Sequence, residues 1–153
     1  MEMMLSSPAF NEGDKIPPRF TCQGEDVSPQ LDWEGVPQGT KSLALIMDDP
    51  DAPGRVFTHW VIFNLPPDRQ GLTEAMPSSP RLPDDTLHGI NDFGRTGYGG
   101  PCPPPGLPHH YHFTLYALDK SLDLEAGASK EQVLKAAEGH TLAHCRLTGI
   151  YQR

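Results

Sequence analysis

Two stretches of this chain place ionisable side chains beside stiff turns. The first, Asp48-Asp49-Pro50-Asp51-Ala52-Pro53-Gly54, leads into Val56-Phe57-Thr58-His59-Trp60-Val61-Ile62-Phe63. The second, Tyr98-Gly99-Gly100-Pro101-Cys102-Pro103-Pro104-Pro105-Gly106, leads into His109-His110-Tyr111-His112-Phe113. Carboxylate, imidazole, phenol and backbone N–H groups held at strand ends are the donors and acceptors of a preformed pocket for a small polar ligand. Pro50 and Pro53 fix φ at two positions, and Asp49 before Pro50 favours an Asx-turn. Turned inward, the Asp49 carboxylate would orient an imidazole or accept from a ligand ammonium. Gly99 and Gly100 would let the backbone approach a ligand closely, with N–H groups aimed at an oxyanion.

Strand alternation selects among these groups. It puts His109, Tyr111, Phe113 and Leu115 on one face and His110, His112, Thr114 and Tyr116 on the other. On the earlier strand it groups His59, Val61, Phe63 and Leu65. Each row begins with a polar residue and continues apolar, as a core-facing row does when its first member opens into a pocket. A single histidine is more often a hydrogen-bonded core residue. The coincidence of His59, His109 and Tyr111 beside rigid turns favours a site.

Two other chemistries are open to these residues. His110 and His112 form a His-x-His pair on one strand face, and Asp51, His59 or His88 would complete a metal site and a metal-dependent enzyme. That pair faces away from His109 and Tyr111, which ranks it lower. Cys102 with His109 would be a nucleophile and base, but no helix N-terminus or basic neighbour lowers the thiol pKa. There is no Walker loop, G-x-S-x-G or dinucleotide fingerprint. The expectation is a binding protein rather than an enzyme, without catalytic residues, cofactor or metal.

The positioning elements are mostly strands. Fifteen Gly and 17 Pro punctuate the 153 residues at short intervals, which suggests many strands joined by shaped turns. Residues 1–30 read as irregular. Leu31 to Trp33, Ser42 to Met47, Val56 to Leu65, His110 to Leu118 and Leu142 to Tyr151 read as strands, with Ser42 to Met47 apolar enough to be covered on both faces. Residues 66–108 form a long loop that must be functional or stapled by contacts. Ser129-Lys130-Glu131-Gln132 is a capping box that opens a helix, and Gly139 ends it. One domain over 1–153, a mostly β two-sheet antiparallel sandwich with one or two short helices, is the expected architecture.

Composition sets the partners. Acidic residues outnumber basic ones 20 to 12, for a net charge of −8 with no Lys/Arg cluster. This disfavours nucleic acid and stable association with anionic membrane. It leaves room for a small anion held locally by N–H groups and an imidazolium. The acidic N-terminus without a long apolar run reads as cytoplasmic. Three cysteines, Cys22, Cys102 and Cys145, read as free thiols in a reducing compartment.

With these residues assembled, the chain resembles the phosphatidylethanolamine-binding protein family, in its bacterial and archaeal Raf-kinase-inhibitor-like (YbhB/YbcL-type) branch. The likeness runs nearly end to end. It is carried by Ser7-Pro8-Ala9-Phe10, Ile16-Pro17, Phe20-Thr21-Cys22, Ser28-Pro29 and Leu31-Asp32-Trp33. Asp49-Pro50-Asp51-Ala52-Pro53 with His59-Trp60 resembles the first family motif. Asn91-Asp92-Phe93-Gly94, Tyr98 to Pro104 and His109-His110-Tyr111 resemble the second. The resemblance implies a β-sandwich whose small terminal pocket binds phosphate, acetate, cacodylate or phosphoethanolamine-like groups. Asp49, His59, His109 and Tyr111 would be ligand residues, and Pro53 with Gly99, Gly100 and Pro101 would be walls. It also implies a homodimer, as in some prokaryotic relatives, and, by analogy with eukaryotic members, inhibition of a kinase or protease through protein contact. His110 stands where the family usually has Arg, so positive charge there becomes conditional on pH.

Overall fold

The computed structural model describes residues 2–153. Eight strands form two antiparallel sheets. The smaller sheet has the order β1-β2-β5, from Met4–Ser6, Leu31–Glu34 and Gly71–Leu72. The larger has the order β6-β4-β3-β7-β8, from Leu87–His88, Phe57–Leu65, Ser42–Asp49, His109–Leu118 and Thr141–Tyr151. The expected two-sheet sandwich is therefore what this sequence adopts.

The central strand β3 is buried at nearly every position. Leu43, Leu45 and Met47 pack between the sheets with Leu31, Trp33, Trp60, Ile62 and Phe113. Ala44 and Ile46 face the other way, where Val61, Phe63 and Leu118 meet Val133 and Ala137 of the helix α1 (Lys130–Ala137). Two apolar layers explain why β3 lacks alternation. The capping box forms as expected. Ser129 Oγ accepts from the Gln132 N–H at 3.1 Å, and Gln132 Oε1 accepts from the Ser129 N–H at 2.9 Å. Gly139 takes a positive φ of 78° just past the helix.

Three short strands lie where no strand was expected. β1 falls in the stretch read as irregular, and β5 and β6 fall in the long loop. At two or three residues each they carry no period. β1 exists because Leu5 pairs with Trp33, a contact set by tertiary structure.

The grouping of His59 with Val61 and Phe63 is corrected. Met47 pairs with Trp60, but the adjacent Asp48 pairs with Thr58, so His59 is an extra residue in a β-bulge. The bulge reverses the alternation. His59 packs beside Tyr111, Trp60 and Ile62 face the inter-sheet core, and Val61 and Phe63 face the helix.

The reading of three free thiols is also corrected. Cys22 and Cys102, 80 residues apart in sequence, form a disulfide with Cα atoms 5.4 Å apart. Cys145 alone is free. The pair was invisible in sequence because two distant loops bring it together, and a backbone bond from the Cys22 N–H to the Pro101 carbonyl reinforces the junction. The cysteines therefore no longer argue for a reducing compartment. Among the described residues no helix is long and apolar enough to cross a membrane.

Candidate functional site

Three adjacent strands of the larger sheet deliver the site at one edge. Asp49 ends β3, Phe57 and His59 begin β4, and His109 and Tyr111 begin β7. The residues expected to converge, Asp49, His59, His109 and Tyr111, line one cavity of about 190 Å³. Pro53 and Ala52 from the β3–β4 loop form one wall, and Phe93, Cys102, Pro103 and Pro104 form another. Drug-sized pockets start at about 300 Å³, so this cavity suits a small group.

Asp49 does two jobs with its two oxygens. Oδ1 accepts from the Asp51 N–H at 2.8 Å, closing the Asx-turn, and Oδ2 lies 2.7 Å from His109 Nδ1. His109 and Asp49 are both buried, so this imidazole–carboxylate pair is shielded from water. His59 Nδ1 donates to the Gly99 carbonyl at 2.7 Å. Its ring stands edge-on to Tyr111 and Phe93, with centroids 5.2 and 5.4 Å away. Burial lowers the His59 pKa, opposed by the Gly99 carbonyl and the Asp49 carboxylate.

Tyr111 is fully buried, and its hydroxyl makes no hydrogen bond within the described residues. Burial first, and next the charge of the Asp49 carboxylate, which the hydroxyl faces without closing a bond of good geometry, raise its pKa, so it remains a neutral phenol. Leaving such a hydroxyl unpaired costs about 1–3 kcal/mol. The only comparable orphan among the described residues is the Thr86 hydroxyl, which does not line the cavity.

The second glycine-rich stretch acts differently from the expected N–H cradle. The Gly99 N–H donates to the His59 carbonyl, and the Gly100 N–H donates to Asp26 Oδ1 at 2.8 Å. Neither glycine nor Pro101 lines the cavity. A Cβ on Gly99 would sit 2.4 Å from the Phe93 ring, and one on Gly100 would sit 2.2 Å from the Phe20 carbonyl. The glycines therefore make room for the wall and its buttress. Phe57 and Phe93, whose rings pack on each other and on His59, lay within the quoted motifs but were not singled out as site residues.

His110 and His112 point elsewhere. Asp51 Oδ2 accepts from both the backbone N–H and Nδ1 of His110, each at 2.8 Å, and these bonds lower the Asp51 pKa. His112 Nδ1 bonds Thr148 Oγ1 at 2.8 Å. Among the described residues no three His, Cys, Asp or Glu side chains gather as a metal site. Cys102 reaches the cavity wall as half of a disulfide, so the Cys102–His109 nucleophile reading lacks its thiol.

A three-stranded sheet packed on a five-stranded one, with a small histidine- and tyrosine-lined cavity at one edge, places the protein in the antiparallel β-sandwich class. The chain belongs to the phosphatidylethanolamine-binding protein family, whose model matches residues 6–152. It is 60% identical over 151 residues to a UPF0098 protein of Methanothermobacter thermautotrophicus, covering 99% of each chain. It is 40% identical to the UPF0098 protein YbhB of Escherichia coli, covering 97% of this chain and 99% of that one. Its fold matches the crystal structure of E. coli YbcL, described as a new member of the mammalian PEBP family. The TM-score is 0.91 at 33% identity, covering 100% of this chain and 99% of that one.

Proposed function

We propose that this protein binds a small anionic group, phosphate or a phosphoethanolamine-like headgroup, in the cavity between β3, β4 and β7, without chemical turnover. One observation carries the reading: among the described residues the buried Tyr111 hydroxyl closes no hydrogen bond, and the Tyr111 side chain lines a preformed cavity. An oxyanion accepting from that hydroxyl would recover the bond the fold leaves unmade. The Asp49–His109 pair stands beside it, with the carboxylate fixing the orientation of the imidazole. The cavity's size favours a headgroup over a whole lipid.

A crystal soaked in phosphoethanolamine tests the proposal. The expected result is phosphate density within hydrogen-bond reach of Tyr111 and His109. An ordered cavity without the anion at millimolar ligand would contradict it.

A further inference from the structure

The two cavity imidazoles have their hydrogen positions set from behind. The Gly99 carbonyl can only accept, so His59 Nδ1 carries the hydrogen, and neutral His59 turns an Nε2 lone pair towards the cavity. His109 Nδ1 faces the Asp49 carboxylate and takes the same tautomer. Neither Nε2 has a hydrogen-bond partner among the described residues. His59 differs from His109 because the acceptor at its back is an uncharged carbonyl, which gives an imidazolium less support than a carboxylate does.

The surrounding charges reinforce this pattern. Asp49 lines the cavity, and Asp48 and Asp51 stand behind it on the same turn. The nearby basic side chains are engaged elsewhere. Lys130 of α1 pairs with Asp48, His110 of β7 with Asp51, and Arg55 of the β3–β4 loop with Asp92. Arg95 stacks 5.1 Å from the Phe93 ring centroid. None of these four lines the cavity. No Lys or Arg side chain is among the lining residues, which present the Asp49 carboxylate and the Nε2 sides of His59 and His109. A fully deprotonated dianion would meet the Asp49 carboxylate and the His59 lone pair with no lysine or arginine to offset them.

We propose that the cavity takes its oxyanion with a proton attached, as the monoanion of phosphate or of a phosphate monoester, whose own P–OH donates to His59 Nε2 while another oxygen accepts from Tyr111. The proposal rests on the anion-site reading above and narrows its ligand class. A phosphodiester of an intact lipid has no P–OH and is disfavoured by the same geometry.

Calorimetric titration of methyl phosphate against methyl sulfate at pH 5 tests this. The two have the same shape and one negative charge each, and only the phosphate carries a hydrogen. Methyl phosphate is expected to bind about tenfold or more tightly. Its affinity should then fall by up to tenfold per pH unit above about pH 6, where phosphate monoesters lose their second proton. Phosphoethanolamine, a monoester, should outcompete glycerophosphoethanolamine, a diester, by a similar factor, which separates free metabolite from lipid headgroup as the source. Equal affinity for methyl phosphate and methyl sulfate, methyl phosphate binding that ignores pH between 5 and 8, or equal binding of monoester and diester would each overturn the proposal and leave the anion site standing. No binding of any anion at any of these pH values would remove the anion site, and this inference with it.

Discussion

Tyr98 and Tyr111 are both buried phenols, yet the fold treats them oppositely. The Tyr98 hydroxyl donates to the Phe20 carbonyl at 2.7 Å, and its ring meets Trp60 edge-on. The Tyr111 hydroxyl has no such partner. The histidines repeat the contrast. His88 uses both ring nitrogens, accepting from Trp60 Nε1 at 3.0 Å and donating to the Ser79 carbonyl at 2.8 Å. His59 and His109 use one each. Residue type and burial are alike in the two regions. The difference is leftover hydrogen-bonding capacity, which the core consumes and the cavity retains. A buried polar residue therefore points to binding when its bonds fail to close, and to structure when they do.

The largest test of this contrast is His88→Ala. It deletes a fully buried ring and strands both the Trp60 N–H and the Ser79 carbonyl. A loss of about 3–5 kcal/mol in unfolding free energy is expected by denaturant titration, with phosphate affinity per folded molecule unchanged. A tolerated substitution would show that His88 is not a closed structural unit.

Tyr98→Phe should cost less, about 1–3 kcal/mol, because only the Phe20 carbonyl loses its donor. Phosphate binding should again persist. Loss of binding in a stably folded Tyr98→Phe protein would blur the boundary between the two regions.

Acid should weaken both regions more gently. Burial lowers the pKa values of His59 and His88, and His112 is lowered chiefly by the same cause. The unfolded chain then binds more protons than the folded one below the free histidine pKa of about 6.5. Stability is full above that value and declines as pH falls towards the folded-state values. For His88 the physical reason is direct, since a proton on Nε2 would face the Trp60 N–H. Denaturant midpoints at pH 7.5, 6.0 and 5.0 should fall in that order. A midpoint that rises between 7.5 and 5.0 would contradict the neutral assignment.

The sequence made the long elements legible, because β3, β7, β8 and α1 carry enough residues for period, composition and capping to show. It also made the site's polar set legible, since Asp49, His59, His109 and Tyr111 sit at strand ends beside proline turns. The bulge at His59 was hidden, because one extra residue leaves no mark on composition while inverting the side chains from Trp60 to Phe63, until a second register shift returns Leu65 to the inter-sheet core. His59 is the bulged residue itself and still lines the cavity, so the choice of residue survived a row that did not. The Gly99-Gly100 doublet looked the same whether it freed N–H groups for an anion or let Phe93 and Phe20 pack close. Only the partners of those N–H groups, His59 and Asp26, decide between the two. The Cys22–Cys102 bond belongs to the same kind of information, since it depends on where loops 80 residues apart come to rest.

Tyr111→Phe tests the central claim most directly, with stability and inorganic phosphate affinity measured on the same preparation. An unpaired hydroxyl kept for a ligand predicts thermal stability equal to or above that of the parent, together with a fall in phosphate affinity of about tenfold or more. A protein destabilised to the extent of Tyr98→Phe, with phosphate binding intact, would show that the Tyr111 hydroxyl serves the fold and that the cavity lacks the role assigned to it.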